Sequence, residues 1–350
     1  MTAILSVETA LPEHRCSMAD IEKAGESWLA PDSPDYALFL RFLRSSQTQT
    51  RHFVVPLEQM LQLPGEEART ALFREFAPAL ANQAVSQALA AAGHPAENVD
   101  TFVFTSCSCP AIPSVDTCVV EAQGFPRTVR RLPVYQHGCA GGVIGLQLAH
   151  RFAKGGERVV LSSTELCSLV FRANNHGGAS LVGSALFADG AAAAVVTPAD
   201  HGLVIQATQS YLLPNSGHLM GYDIHDDGPH LKLDKELPGA LAEAVPGIVE
   251  AFLAKHELRR SDIDWWLFHP GGAKILDALE ARLELESETC WFGRETLRRV
   301  GNLSSATILF VLRAFLDEAK HAAGDRALIV GIGPGMTVEL ILLQQVGDPQ

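Results

Sequence analysis

Apolar and polar positions along the chain fall into two periods. Short, nearly continuous apolar runs predict buried strands at Ala3–Thr9, Thr101–Cys107, Leu132–Tyr135, Arg158–Ser163, Gly190–Thr197, Trp265–Phe268, Ala327–Ile332 and Val338–Val346. Longer stretches read as helix: Met18–Leu43 with a break near Pro31–Pro34, Gly65–Ala92 ending at Gly93-His94-Pro95, the segment after Cys139 as far as Ala153, and Leu237–Lys255. A helix follows Pro270 and another spans Ser304–Ala323. Two prolines keep Cys109-Pro110-Ala111-Ile112-Pro113 irregular.

Strands alternating with helices predict an α/β fold. Residues 1–200 and 201–350 run in a similar order, and each half closes on an apolar strand pair, which points to an internal duplication. No Pro- or Ser-rich linker separates the halves, so they are expected to pack as one body.

Composition narrows the function. With 350 residues, 47% hydrophobic and 19% charged, the chain is too apolar for disorder and long enough for a sizeable core. A net charge of −13 leaves no electrostatic footprint for nucleic acid and discourages docking on anionic membranes. An anionic substrate would need a local basic patch working against that field. No stretch of about 18 uncharged apolar residues predicts a membrane span, and Met1–Glu8 has no basic region and too short an apolar run for a signal peptide. Seven scattered cysteines, an odd number, predict reduced thiols and a cytoplasmic location.

Among those cysteines one context stands out. Cys139 lies between Gly138 and Ala140-Gly141-Gly142, directly after a strand and at the start of an apolar helix. The helix dipole and free backbone N–H groups there favour a thiolate, and small neighbours admit a substrate carbonyl. Cys16, Cys118 and Cys290 read as ordinary small hydrophobes. His269 ends the apolar strand Trp265–Phe268 and precedes Pro270-Gly271-Gly272, a place from which it can face a pocket. Asn302, before a helix, is most simply an N-cap. Taken together the three suit decarboxylative carbon–carbon bond formation. The cysteine carries an acyl chain, and the imidazole and amide stabilise an enolate oxygen without a metal. The histidine would also pair with the resting thiolate. Cys107-Ser108-Cys109 lacks a second Cys/His pair at zinc-ligand spacing.

Five separated segments carry a resemblance: Tyr135–Gly142, Leu186–Ala192, Phe268–Gly272, Gly301–Ala306 and Gly331–Gly335. In order and spacing they resemble the chalcone synthase-like family, the bacterial-type type III polyketide synthases of the thiolase superfamily. The resemblance covers most of residues 95–345. It implies a five-layered αβαβα thiolase fold with two similar halves, the first carrying Cys139 and the second His269 and Asn302. It also implies a homodimer, no cofactor, and acyl-CoA and malonyl-CoA as substrates. By the same resemblance Cys139, His269 and Asn302 form the catalytic triad and Phe187 is a gatekeeper aromatic. Leu231 replaces a second gatekeeper phenylalanine. Ile332, Gly333 and Pro334 line a cyclisation pocket, Ser304 belongs to a family-specific serine pair, and Arg41 and Arg44 fall where coenzyme A phosphates bind.

Two cavity positions disagree about the starter. Cys107 matches a cysteine of synthases that make tetrahydroxynaphthalene from malonyl units, whereas Cys167 matches a small residue of long-chain alkylpyrone synthases. Small Ser108 and Cys167, with Leu231 in place of an aromatic, favour a medium or long fatty acyl-CoA starter and an alkylpyrone or alkylresorcinol product. The alternatives are a malonyl-primed naphthalene-type synthase, a ketoacyl synthase III-like enzyme on carrier-bound chains, and an inactive acyl-binding scaffold.

Overall fold

The structure, a computed structural model, describes residues 1–347. Its strands are β1 (Thr2–Ala10), β2 (His14–Ser17), β3 (Thr50–Phe53), β4 (Thr101–Ser106), β5 (Arg130–Tyr135), β6 (Val159–Leu166), β7 (Asp189–Pro198), β8 (Gly202–Leu212), β9 (Met220–His225), β10 (Gly228–Leu233), β11 (Trp265–Phe268), β12 (Arg326–Gly333) and β13 (Thr337–Val346). Nine of them form one sheet in the order β11-β12-β13-β8-β1-β7-β6-β4-β5. The remaining four make two small ribbons, β2 with β3 and β9 with β10.

The sheet is two copies of one pattern joined back to back. From the centre outward, β1-β7-β6-β4 mirrors β8-β13-β12-β11. In each copy the first three strands are antiparallel and the last pair parallel. The halves meet where β1 pairs with β8, Ala3 opposite Val204.

The helices are α1 (Met18–Trp28), α2 (Pro34–Ser45), α3 (Leu57–Leu61), α4 (Glu66–Ala91), α5 (Asp116–Gln123), α6 (Gly141–Lys154), α7 (Gly178–Leu186), α8 (Leu237–Ala254), α9 (Ala273–Leu283), α10 (Ser287–Val300) and α11 (Thr307–Glu318). Layering follows from the strand period of two. On β7, Ala192, Ala194 and Val196 face the central core, and Ala191, Ala193 and Val195 face the outer core beneath α4. On β12, Ala327 and Ile329 face the central core, and Leu328, Val330 and Ile332 face the outer core beneath α8 and α9. Helices α6 and α11 pack against each other in the middle, giving five layers, αβαβα. This is the thiolase-like fold. Helix α8 is long and apolar enough to cross a membrane by length and composition, and its Leu241, Val245, Val249 and Phe252 are buried in the outer core.

Several elements were absent from the sequence pattern: β2, β3, β8, the β9–β10 ribbon, α5, α7 and α10. The expected helix Ser304–Ala323 is shorter, with a single tight turn at Ser304–Ala306 leading into α11.

Candidate active site

Cys139 lies in a tight turn, Gly138–Ala140, that runs straight into α6. Close packing fixes this turn. A Cβ on Gly333 would lie 2.4 Å from that of Ala140, and one on Gly138, whose φ is +50°, would lie 2.6 Å from Pro334. Behind it, Gly142 abuts the carbonyl of Ser305, where a Cβ would come within 2.2 Å. Only glycine allows those approaches.

Three thiols reach the same space. Burial raises the pKa of each, and for Cys107 and Cys167 the charge of Glu165 drives the shift further, well above the ordinary value. Cys139 rises less, to about 11, because hydrogen bonds with Ser304 and Asn302 counter the burial. Its Sγ lies 3.7 Å from Ser304 Oγ, and Cys107 Sγ lies 3.2 Å from the same oxygen. Of the three, Cys139 is the most readily ionised.

His269 leaves the end of β11 with its N–H bonded to Val330 O at 2.9 Å. The residue is 2% exposed, and among the described residues neither ring nitrogen has a partner. Burial alone lowers its pKa to about 4. Burial disfavours the charged form of each partner of the expected resting ion pair, so that pair would have to outweigh both penalties. Two imidazole nitrogens without a protein partner carry a desolvation cost, and the residue borders the outer of two cavities described below.

Asn302 is not the N-cap its position suggested: the cap of the tight turn is Leu303 and that of α11 is Ala306, neither with a side-chain cap bond. Its Oδ1 accepts from Ser304 N at 2.8 Å and from Thr307 Oγ1 at 3.2 Å, which ties the amide to the entry of α11. With Oδ1 so used, the amide orientation is fixed and Nδ2 is left to donate elsewhere. Ser304, next but one, sits at φ +50°, a left-handed conformation unusual for a serine.

Two cavities meet at the sulfur. An inner one of about 120 Å³ reaches Cys107, Cys167, Tyr222, Leu231, Ser304 and Pro334, and extends to Trp28, Phe39 and Met60. An outer one of about 430 Å³ holds His269, Asn302 and Ile332, with exposed Lys235 and Lys274 on its wall. Cys139, Phe187, Met220 and Leu233 border both. Phe187 thus stands at the junction, as a gate would.

Other expectations shift. Ile332 lines the outer cavity and not the inner one. Gly333 lines neither and serves the close contact beneath Ala140. Ser108 is not on a cavity wall either: its hydroxyl donates to Glu165 and accepts from Leu166 N. Arg41 and Arg44 line neither cavity. Both point outward from α2, Arg44 toward Glu22 at 3.7 Å and Arg41 over the Phe42 ring, while Phe42 itself faces the outer cavity.

Sequence reasoning missed Glu165, Arg51, Tyr222, Lys235 and Lys274. Glu165 is fully buried and accepts from Cys107 N and from the hydroxyls of Ser108 and Ser305. Burial raises its pKa, against those bonds. A lone glutamate inside the apolar run Val159–Leu166 was the available signal.

A thiol at a buried helix N-terminus, with an imidazole and an amide from the opposite half on the cavity it borders, fits a thiolase-fold acyl-transferring enzyme. The family profiles then agree along the chain: residues 41–200 match the chalcone and stilbene synthase N-terminal domain and 203–347 the C-terminal domain. A 1,3,6,8-tetrahydroxynaphthalene synthase of Streptomyces peucetius subsp. caesius is 35% identical, over 98% of this chain and 93% of its own length. The phloroglucinol synthase of Pseudomonas fluorescens is 28% identical, over 97% and 98%. The crystal structure of the Streptomyces coelicolor A3(2) tetrahydroxynaphthalene synthase, described as a bacterial type III polyketide synthase, superposes with a TM-score of 0.94 at 31% identity, covering 99% of this chain and 100% of its own. The chain belongs to the chalcone and stilbene synthase family and is a type III polyketide synthase.

Proposed function

We propose that the enzyme builds an aromatic, naphthalene-type polyketide from malonyl-CoA alone, with Cys139 as the acyl carrier and His269 and Asn302 as the enolate donors. The observation that carries this is the single sulfur shared by two cavities of different chemistry. Cys139 passes its proton to His269, the thiolate attacks the starter thioester carbonyl, and coenzyme A leaves as the thiol with that proton. In the outer cavity a malonyl thioester then loses carbon dioxide. The pair of electrons from the broken C–C bond becomes an enolate, whose oxygen accepts from an imidazole N–H and from Asn302 Nδ2. The enolate carbon attacks the acyl–Cys139 carbonyl and the thiolate departs. A histidine held neutral still donates one N–H, so its lowered pKa is compatible with this role.

Malonyl priming is supported by the names of the tetrahydroxynaphthalene synthases among the relatives and by the walls nearest the sulfur. Cys107, Cys167, Ser304 and Tyr222 offer polar hydrogens to a chain that carries a carbonyl on alternate carbons. Exposed Lys235 and Lys274 on the outer wall would be the partners of coenzyme A phosphates. One observation favours a fatty acyl starter instead: the far wall of the inner cavity, with Ile21, Trp28, Phe39, Leu57 and Met60, is apolar. An alkyl chain gains about 0.8 kcal/mol per methylene moved there from water. Incubation with malonyl-CoA alone, and with a ladder of acyl-CoA starters, followed by mass spectrometry separates the two. An aromatic product from malonyl-CoA alone is expected. Products that appear only with long acyl-CoA would replace this reading by the alkylpyrone one.

A further inference from the structure

Arg51 is an unusual residue for its place. It lies on the short strand β3 and is 2% exposed, yet among the described residues no carboxylate lies within ion-pair distance of it. Desolvation is the largest influence on its guanidinium, lowering its pKa to about 10. An apolar side chain would avoid that cost, so what the charge touches needs explaining.

It touches the end of α7. Nη1 donates to Ser184 O at 2.5 Å and to Phe187 O at 3.0 Å, carbonyls that the helix itself leaves without partners. Phe187 is one of the four residues that border both cavities. The backbone on either side of it is tied to Asn302: Asn302 N donates to Leu186 O at 3.0 Å, and Ala188 N donates to Asn302 O at 2.9 Å. From the other side, the Arg51 stem lies under Gly301, whose φ is +77° and where a Cβ would come within 3.0 Å of Arg51 Cγ. Nη2, buried, has no partner.

We infer that Arg51 is a positioning residue that sets the Phe187 gate and the Asn302 amide as one unit. The inference rests on the reading of Asn302 as an enolate donor. Arg51 meets no reacting atom. It grips the carbonyl of the gate residue and the turn before the amide, and the two backbone bonds transmit that grip. Displacing it moves gate and donor together.

The test is steady-state malonyl-CoA decarboxylation by the full-length enzyme, with thermal melting in parallel, for Arg51→Met, Arg51→Lys and Asn302→Ala. Arg51→Met is expected to lose up to about 10²-fold in kcat, the loss produced by about 1 Å of misplacement near a reacting centre, with KM within about twofold of wild type. Lysine keeps a cation at the helix end but cannot reproduce the two-pronged geometry. Arg51→Lys is therefore expected to recover melting temperature but not kcat. A purely structural cap would recover both together, and that result overturns the inference, as does wild-type kcat in folded Arg51→Met. If Arg51→Met does not fold, Arg51→Lys decides alone. A wild-type rate in Asn302→Ala would instead remove the underlying reading, whereas an impaired Asn302→Ala beside unimpaired Arg51 variants would remove only this inference.

Discussion

The two halves of the molecule place different chemistry at matching points of one scaffold. Strand β4 of the first half corresponds to β11 of the second, and α6 to α11. The residue directly after β4 is Cys107, and the residue directly after β11 is His269. The turn into α6 carries Cys139, and Asn302 lies just before the turn into α11. The repeated pattern supplies two buried helix N-termini facing one space. One holds a thiol, whose anion a helix dipole would favour. The other uses the helix entry to lock an amide, leaving its N–H₂ as a donor.

This division can be broken experimentally, one half at a time. Cys139→Ala should abolish acyl loading and product formation, measured with labelled malonyl-CoA. Full synthesis by that variant would mean that the first half does not hold the nucleophile. Cys139→Gln should also block loading but keep malonyl decarboxylation, because the second-half donors are intact. On the other side, His269→Ala and Asn302→Ala should each slow decarboxylation by about 10²–10³, the scale of one lost oxyanion donor. A wild-type rate in either variant takes that residue out of the chemistry.

A finer test concerns the link between the halves. With the thiol pushed up to about 11 by burial, Cys139 is reactive near pH 7 only where a neighbouring charge stabilises its thiolate, the part the family resemblance gives His269. In His269→Ala, alkylation by iodoacetamide at pH 7 should be about tenfold slower or more, with a rate that climbs about tenfold per pH unit until the thiol titrates. Superimposable pH profiles for variant and wild type would show that the thiol ionises without the imidazole. The smallest effect is expected at the rim. Lys235→Glu or Lys274→Glu should raise KM for malonyl-CoA a few-fold (roughly 1 kcal/mol or less per exposed charge) and leave kcat alone. The difference should fade in high salt, and salt-independence would argue against phosphate contacts.

The sequence made the two-half organisation legible because apolar runs of the right length mark strands buried on both faces, as in β7 and β12. It missed β8, β9 and β10, whose residues alternate with polar ones and lie partly at the surface. It missed α7, whose glycine-, serine- and alanine-rich segment Gly178–Leu186 owes its helix to packing rather than to propensity. Cys139, His269 and Asn302 stood out because glycines surround them. Arg51 and Glu165 did not, since nothing local distinguishes a buried charge from a solvated one. Nor could the pattern show that Arg41 and Arg44 turn outward while Phe42 between them turns in.

The absence of slack beneath the nucleophile restricts how such an enzyme can diversify. Around Cys139, Gly333 meets Ala140, Gly138 meets Pro334 and Gly142 meets Ser305, each without room for one more carbon. Nearly any exchange there collides with backbone or with a rigid ring. The β9–β10 ribbon, by contrast, brings Tyr222 and Leu231 to the inner cavity and has open space around Gly221. Inheritable change in product is therefore channelled to the ribbon. The reaction stays constant while the mould around the growing chain can vary.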